Sequence, residues 1–409
     1  MTPHLVILAD DLTGAADAAA SFAQAGLRTV VALSLAEAGF SEKNPTSFEV
    51  LSLSTDSRQV EAGEAARRVH QAVDWLRQNG FESPGTFFYK KIDSLLRGHP
   101  AVELAAMLDA LGFDRALVAP AFPAQGRLTL AGQQVIGTGR AACQIDLGEI
   151  FGTPPGPGAE PQANPARIHW LPLGQVRQGW LADQPGLYIA DAESEADLEA
   201  LAHRMAEQGF HLACGSAGLA RALQRVAFHP AGRTPPASRL ARARLAARSV
   251  LVVAGSHAPA LARQVEAARR SGIRVVVPGP SFLEEATFRP EELAYALALA
   301  GTLRSGQPAI LTTAGLPLSP LGDEQVAERL AAVAGWMVEA RLVGGLVLTG
   351  GDTATAVCRR LGASLIELHG EPLPGIAVGA LLDGPHAGLP VITKAGAFEC
   401  DLKMLIEHF

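Results

Sequence analysis

The residues most able to do chemistry in this 409-residue chain follow short apolar, strand-like segments. One stretch, LVLTGGDTATAVCRRLG at 346–362, begins as a strand, breaks at Gly350 and Gly351, and continues from Asp352 and Thr353 as a helix closed by a glycine. Such a turn exposes backbone N–H groups at the positive end of a helix dipole, where an anion can approach closely. The pattern predicts a phosphate-binding loop. The alternative is an ordinary tight connection with an Asp or Thr cap, since neither the Walker A motif nor G-x-G-x-x-G is present.

A second cluster is the acidic pair Asp10 and Asp11, directly after the apolar segment LVILA at 5–9. Carboxylates at the carboxyl end of a parallel strand can accept hydrogen bonds from sugar hydroxyls, hold Mg²⁺ or act as a base. The alternative is structural, with Asp11 or Thr13 capping the following helix. Because the acids are adjacent, they do not fit a D-x-D-x-T phosphatase motif.

A third cluster of charged and polar residues begins at the end of the strand-like segment TFFYKK and continues up to a helix that starts at Pro100. Its cations suit the carboxylate of a small anionic ligand, and its Asp and Ser suit hydroxyl groups. A run of charges is usually a solvated surface, but the position of this run between two apolar elements favours a site. Arg58, and Arg127 in a segment that we interpret as a structured loop, are further candidate anion contacts. The residues of this third cluster are Lys90, Lys91, Asp93, Ser94 and Arg97.

The composition indicates a globular enzyme that acts on a small molecule. Hydrophobic residues make up 48% of the chain, and its length favours two or three domains. The net charge of −7 and the aromatic content of 5% argue against nucleic acid or a membrane as the main partner. Four widely spaced cysteines indicate neither a zinc site nor a disulfide framework. Without a visible signal peptide or membrane-length apolar run, the expected location is the cytoplasm.

Strand-like and helical segments alternate along the chain, which is typical of α/β proteins with covered parallel sheets. We expect two domains, each a largely parallel sheet flanked by helices, with the active site in the interdomain cleft. A sugar-acid-binding domain at 1–228 is followed by a basic linker at 229–249 and a nucleotide-binding domain at 250–409. Three strand ends of the second domain are small, hydroxylated or cationic and could converge on one nucleotide: 255–256, 350–353 and 394–396.

The chain also resembles the four-carbon acid sugar kinase family nearly from end to end. The resemblance rests on ADDLTGAAD (9–17), KKIDSLLRG (90–98), PAFPAQGR (120–127), GSAGLA (215–220), AGSHAP (254–259), TGGDTA (349–354) and KAGAF (394–398). Several motifs in one order are far more specific than any one of them. The resemblance implies an ATP-dependent kinase, with Mg²⁺, that phosphorylates the terminal hydroxyl of threonate, erythronate or 3-oxo-tetronate.

The residue patterns and the resemblance together assign residues to each ligand. Asp93 and Asp11 are the two candidates for the catalytic aspartate, and no metal ligand is assigned. The substrate-binding residues are Asp10, Asp11, Arg58, Lys91, Ile92, Asp93, Ser94 and Arg97. The nucleotide-binding residues are Ser256, Thr349, Gly350, Gly351, Asp352, Thr353, Lys394 and Gly396.

Three residues depart from the family pattern and leave the particular substrate open: Leu95 in place of Thr, His257 after Ser256, and Glu399 in place of Gly. The expected partners are a sugar acid and ATP, and a homodimer is left open. Two other functions are considered. One is a phosphatase or receiver-like protein that is phosphorylated on its N-terminal acids, and the other is a sensor that binds the sugar acid and nucleotide without catalysis.

Overall fold

Short aliphatic runs, each followed by small or polar residues, form parallel strands in both halves of the chain. The structure is a computed structural model that describes residues 4–33, 48–137, 142–152, 167–228, 249–256, 258–279, 282, 294–316, 322–396 and 398–409. The described residues up to 228 form one compact unit and those from 249 onward form a second. Of the predicted linker, 229–248 lies outside the described residues.

The first unit contains both parallel strands and the helices that cover them. Its strands are β1 (Leu5–Ala9), β2 (Thr29–Ala32), β3 (Val50–Ser54), β4 (Phe87–Lys91), β5 (Arg115–Ala119), β6 (Arg127–Leu130), β7 (Gln133–Ile136), β8 (Cys143–Asp146), β9 (Ile168–Leu171), β10 (Gly186–Ala190) and β11 (Leu212–Gly215). Its helices are α1 (Leu12–Gln24), α2 (Ala62–Gln78), α3 (Pro100–Leu111), α4 (Leu147–Phe151), α5 (Leu173–Gln178), α6 (Glu195–Glu207) and α7 (Ala217–Ala227).

The main sheet of this unit has the order β2-β3-β1-β4-β11-β5-β10-β9, and its neighbouring strands are parallel. All five residues of β1 are buried, as expected for a strand covered on both faces. From β1 the chain passes to β2 and β3 on one side and then to β4 on the other. The order of strands therefore reverses at β1, and its carboxyl end is where doubly wound sheets open a crevice for ligands.

One part of this unit differs from the sequence-based interpretation. The segment around Arg127, which we expected to be a loop, forms an antiparallel sheet in the order β6-β7-β8. The tight turn between β6 and β7 includes Ala131 at φ 50° and Gly132 at φ 75°. Pro and Gly content indicated the turns correctly but concealed the short strands between them.

The second unit repeats the alternation of strands and helices. Its strands are β12 (Val250–Ala254), β13 (Arg274–Val276), β14 (Ala309–Thr312), β15 (Gly345–Thr349), β16 (Leu365–Leu373), β17 (Ile376–Leu381) and β18 (Pro390–Lys394). Its helices are α8 (Pro259–Arg270), α9 (Ala294–Arg304), α10 (Asp323–Glu339), α11 (Gly351–Arg360) and α12 (Leu402–Glu407).

The strand order here is β13-β14-β12-β15-β18-β17-β16, parallel from β13 to β18 and antiparallel at β17 and β16. Aliphatic side chains such as Val252, Ile310, Val347 and Ile392 form its buried core. β12 lies between β14 and β15, so the strand order reverses again at the first strand. The fold is thus α/β, with two domains and largely parallel sheets, as the sequence predicted.

Candidate functional site

Asp10 and Asp11, at the carboxyl end of β1, are both bound by one guanidinium group. Arg58 Nε and Nη2 donate to the two oxygens of Asp10 at 2.8 and 2.7 Å. Its Nη1 and Nη2 donate to the two oxygens of Asp11 at 2.6 and 2.9 Å. Four of the five N–H groups of Arg58 are therefore used within the protein. Arg58 thus binds carboxylates, as expected of a candidate anion contact, but these carboxylates belong to the protein and not to a ligand.

Asp11 also performs the structural role that was considered as an alternative. Its side chain caps α1 by accepting hydrogen bonds from Gly14 N and Thr13 Oγ1, each at 2.7 Å. Burial alone would raise the pKa of Asp11, but Arg58 and Lys91 outweigh burial and hold that pKa below its ordinary value. Burial raises the pKa of Asp10 in spite of the opposing effect of Arg58. The two adjacent acids therefore differ in their electrostatic environment.

Asp93 lies in the loop after β4 and is paired with Arg97. The guanidinium donates from Nε to Asp93 Oδ2 at 2.6 Å and from Nη2 to Oδ1 at 3.1 Å. Burial opposes ionisation, but the hydrogen bond from Arg97 and the charge of Arg58 hold the pKa of Asp93 well below its usual range. Asp93 is consequently a carboxylate at neutral pH and a weak base. Next to it, the buried Ser94 Oγ accepts a hydrogen bond from Arg127 Nη1.

The two lysines of β4 have different surroundings. Lys90 is fully buried, and its Nζ lies 2.5 Å from Oε2 of Glu103 in α3, so it forms an internal ion pair. Lys91 Nζ donates to the backbone oxygen of Ile92 at 3.0 Å and lies 3.2 Å from where a Cβ on Gly14 would stand. Lys91 therefore faces α1 and the acid pair. Ile92 has a buried side chain and contributes to this region through its backbone.

The structure brings the predicted substrate-binding residues of the first unit together at one edge of the sheet. This follows from topology, because β3, β1 and β4 are adjacent parallel strands whose carboxyl ends share that edge. Sequence reasoning missed two charged residues that adjoin the cluster, Asp17 of α1 and Arg221 of α7. Asp17 is the last residue of the ADDLTGAAD motif, and its place in that motif is the sequence signal that could have identified it. Nothing in the sequence pattern indicated Arg221.

The predicted phosphate-binding loop of the second unit lies between β15 and α11, at the strand-to-helix turn that the sequence indicated. Gly350 is the N-cap of α11 and has φ 98°, a left-handed conformation that favours glycine. Because the N-cap residue is a glycine, it has no side chain to cap the helix, and neither Asp352 nor Thr353 is the N-cap residue. Gly350 N donates to Lys394 O at 3.0 Å, which ties this turn to β18.

Glycines keep open the space where three strand ends of this unit meet. A Cβ on Gly396 would stand 2.2 Å from Ser256 Oγ, and one on Gly255 would stand 2.6 Å from Thr353 Oγ1. The two hydroxyl groups thus lie at the convergence of β12, β15 and β18, as expected for the predicted nucleotide contacts. The side chain of Thr349 is buried beneath them, and among the described residues its Oγ1 has no hydrogen-bond partner. His257 lies outside the described residues.

Lys394 is used inside the second unit. Its ammonium group donates to the backbone oxygens of Ala395 at 3.0 Å and Phe398 at 2.9 Å, so it holds the loop that contains Gly396. Burial lowers the pKa of Lys394 from 10.5 to about 8. Lys394 therefore positions the loop that contains Gly396. A direct contact between Lys394 and phosphate stays a prediction.

The second unit has a strand-to-helix turn with the features of a phosphate site. An uncapped helix N-terminus beside glycines without Cβ atoms is suited to phosphate oxygens. Among the described residues no group of three or more His, Cys, Asp or Glu side chains could hold a metal ion. Mg²⁺ commonly enters nucleotide sites with phosphates and water as most of its ligands. None of the described helices is long and apolar enough to cross a membrane.

Comparison with known proteins identifies the class of each half. Residues 5–146 match the model of a sugar-binding N-terminal domain, and residues 251–398 match that of a nucleotide-binding C-terminal domain. A solved structure described as a putative tRNA synthase from Salmonella typhimurium shares the fold, with a TM-score of 0.73, 21% identity and 98% of each chain covered. A Haemophilus influenzae protein also shares it, with a TM-score of 0.65, 20% identity and 97% of each chain covered.

Curated relatives are similar over nearly their whole length. A D-threonate kinase of Salmonella typhimurium is 33% identical, with 97% of this chain and 96% of the relative covered. A D-erythronate kinase of Heliobacterium modesticaldum is 30% identical, covering 96% and 93%. A 3-oxo-tetronate kinase of Methylobacterium radiotolerans is 28% identical, covering 97% and 93%. The chain therefore belongs to the four-carbon acid sugar kinase family, and the expectation that it is a sugar acid kinase is confirmed at the level of the family.

Proposed function

We propose that this chain transfers the γ-phosphoryl group of ATP to the terminal hydroxyl of a four-carbon sugar acid. The observation that carries the proposal is the N-terminus of α11, where Gly350 and an uncapped first turn offer backbone donors for phosphate oxygens. Its family membership and the sugar-binding model over the first unit support the choice of acceptor. D-threonate is the first acid to test, because three D-threonate kinases are each 33% identical to this chain.

The sugar acid binds, on this proposal, at the carboxyl ends of β1 and β4. Nine charged residues adjoin this edge: Asp10, Asp11, Asp17, Asp93, Arg58, Lys91, Arg97, Arg127 and Arg221. Five cations against four carboxylates leave one excess positive charge, which matches a monoanionic sugar acid. Lys91 is better placed than Arg58 to bind the substrate carboxylate, because Arg58 retains only one unused N–H group.

In the transfer step the terminal hydroxyl oxygen bonds to the γ-phosphorus and releases its proton to solvent, the bond from that phosphorus to the bridging oxygen breaks, and ADP leaves. Little covalent help is needed, so positioning and charge neutralisation dominate. Asp93 and Asp11 remain the two candidates for orienting the hydroxyl. Since the pKa of both is held low, either would act as an orienting acceptor more than as a strong base.

The second unit contributes the nucleotide site. The backbone N–H groups at the start of α11, with Ser256, Thr353 and Gly396 beside them, would bind the phosphates. Mg²⁺ bound with the nucleotide would supply further neutralisation of phosphate charge, with Asp352 as the acidic residue of the first helical turn. That the reaction takes place in an interdomain cleft stays a prediction.

The proposal is tested by measuring ADP release with ATP and Mg²⁺ over a panel of four- and five-carbon sugar acids. We expect release that depends on one or a few tetronates, with a phosphate monoester identified by ³¹P NMR. A trapped phospho-aspartate without ester formation would instead support the phosphatase or receiver-like function. Binding of both ligands without ADP release would support the sensor.

A separate measurement locates the nucleotide. A crystal of the protein soaked with a non-hydrolysable ATP analogue should show the triphosphate beside residues 350–353. A triphosphate bound elsewhere would overturn the proposed nucleotide site, whatever the outcome of the ADP assay.

A further inference from the structure

Three of the four carboxylates at the sugar-binding edge already have protein partners on both oxygens. Asp10 and Asp11 are held by Arg58, and Asp93 is held by Arg97. Each of these oxygens already has a donor from the protein, so a ligand hydroxyl would add to an acceptor that is satisfied and would not complete one that lacks a donor. The fourth carboxylate, Asp17, is different. Its Oδ1 is buried and has no hydrogen-bond partner among the described residues.

Asp17 lies on the face of α1 that borders the cluster. Gly14, three residues earlier and therefore one turn away on the same face, is next to Lys91 Nζ and Asp11 Oδ1. The charged groups that act on Asp17 include Lys91, Arg221, Asp11 and Arg127. These residues come from β4, α7, the start of α1 and β6, so elements on several sides surround Asp17.

The nearest cation does not satisfy Asp17. Arg221 Nη2 is 4.0 Å from Asp17 Oδ1, which is close enough for charge attraction and too far for a hydrogen bond. The Arg221 guanidinium instead lies over the ring of Phe122, 4.9 Å from its centre. Burial raises the pKa of Asp17 above its ordinary value, against the opposing effects of Lys91 and Arg221. A buried acceptor without a donor is costly, and a bound ligand can supply the missing donor.

We propose that Asp17 accepts a hydrogen bond from a secondary hydroxyl of the sugar acid and thereby determines which acids are used. This inference rests on the proposed function of the same site. The hydroxyl at C2 or C3 would donate to Oδ1 of Asp17, while the substrate carboxylate lies toward Lys91. Of the four aspartates Asp10, Asp11, Asp17 and Asp93, Asp17 is the one with a buried oxygen that lacks a donor among the described residues.

The test compares parent and deoxy acids in three proteins: the wild type, Asp17→Asn and Asp17→Ala. The panel is D-threonate, D-erythronate and the two dihydroxybutanoates that lack the C2 or C3 hydroxyl. A hydrogen bond to a charged acceptor contributes about 10- to 100-fold in binding. We therefore expect the wild type to prefer one parent acid over one deoxy acid by about that factor, and Asp17→Ala to lose the preference. Asp17→Asn keeps one acceptor oxygen and should give an intermediate value.

Two further readouts separate recognition from a general structural effect. The KM for ATP should stay unchanged in both variants, because the nucleotide binds other residues. Asp109→Asn, at a side chain that is 74% exposed on α3, is the matched control and should behave as the wild type. If Asp17→Ala keeps the full preference for the parent acid, or weakens all four acids equally, the inference is wrong.

The inference and the proposed function fail in distinguishable ways. Should the wild type release no ADP with any acid, the kinase proposal fails, and the dissociation constants of the same acids, measured by calorimetry, still test Asp17. Should the wild type be an active kinase while Asp17→Ala retains its discrimination between acids, the inference alone fails. Asp17→Asn, which preserves volume, provides the comparison if Asp17→Ala does not fold.

Discussion

The candidate sites of the two units lie at equivalent positions in similar sheets but are formed by different chemical groups. In the first unit the edge beside β1 is made of buried charged side chains that pair with one another, above all Arg58 with Asp10 and Asp11. In the second the edge beside β12 is made of glycines, hydroxyl groups and an uncapped helix N-terminus. The same topological position can therefore recognise a ligand through side chains or through the backbone.

This difference predicts how each site fails. A side-chain site fails when a charge is removed, because a buried partner is then left without its counter-ion. A backbone site has few charges to remove, and it fails when a Cβ is added where phosphate or backbone must approach. Four substitutions test this contrast, and they are ordered here by the size of the expected effect.

The largest effect is expected from Arg58→Met. Removing the guanidinium leaves Asp10 and Asp11 buried without a counter-ion, which should cost about 3–5 kcal/mol in the free energy of unfolding, with loss of activity. Arg58→Lys restores the charge but cannot fork onto both acids, so it should recover only part of the stability. Urea unfolding measures the effect, with Arg77→Met, at a half-exposed side chain, as control. A loss of less than about 1 kcal/mol in the free energy of unfolding would show that the ion pairs of Arg58 with Asp10 and Asp11 contribute little to stability.

The second effect concerns turnover. Asp93→Asn removes a carboxylate charge while preserving volume, and we expect kcat to fall about 100-fold or more, because the substrate hydroxyl loses the charged acceptor that orients it. The KM for ATP should change little, because Asp93 belongs to the first unit. Steady-state kinetics with each substrate varied in turn gives both values. Activity within a few-fold of the wild type would exclude Asp93 and leave Asp11 as the candidate.

The third effect belongs to the backbone site. In Gly396→Ala the new Cβ would stand 2.2 Å from Ser256 Oγ, so the loop or the serine must move. We expect the KM for ATP to rise about 10-fold, equivalent to about 1.4 kcal/mol, with little change in the KM for the acid. Gly301→Ala, on α9 with nothing within 4 Å of the new Cβ, is the matched control. A selective rise in the KM for the acid would reverse the assignment of the two units.

The effect that is smallest near neutral pH is a pH dependence at Lys394. Its folded-state pKa of about 8 lies below the ordinary value of 10.5, so between these two pH values the unfolded chain binds more protons than the folded one. Stability should therefore rise as the pH increases from about 8 to about 10.5, by up to about 3 kcal/mol. Lys394→Met should lack this rise. Urea unfolding of both proteins across the range gives the difference, and parallel curves would show that burial does not perturb this lysine.

Much of the fold was predictable because local patterns determine it. The five buried residues of β1, Pro100 at the start of α3 and Gly112 at its end are each signalled by a few neighbouring residues. The antiparallel β16–β17 hairpin and the β6–β8 sheet were missed, because short strands and structured loops share Pro, Gly and alternating patterns. In a parallel sheet, convergence of strand ends follows from topology, and so the neighbourhood of each site was predictable.

The partners of individual charges could not be predicted in the same way. Arg58 meets Asp10 across 48 residues of sequence, and Lys90 meets Glu103 on a different element. Each of these cations could have bound ligand, solvent or protein, and only the folded arrangement decides between them. Lys394 was expected to meet phosphate, yet its hydrogen bonds hold a backbone loop. Charge type and position in the sequence therefore indicate a site without indicating each residue's role.

The buried pair of Lys90 and Glu103 has a consequence for the alignment of β4. Successive side chains of a strand point to opposite faces, so Lys90 faces α3 while Lys91 faces the acids of α1. A slip of β4 by one residue in one direction would replace Lys91 by Ile92 at the edge, and a slip in the other direction would replace Lys90 by Tyr89 beside Glu103. The native register is the one that gives Glu103 its cation and also keeps Lys91 at the edge, so the proposed anion contact depends on correct alignment of β4 during folding.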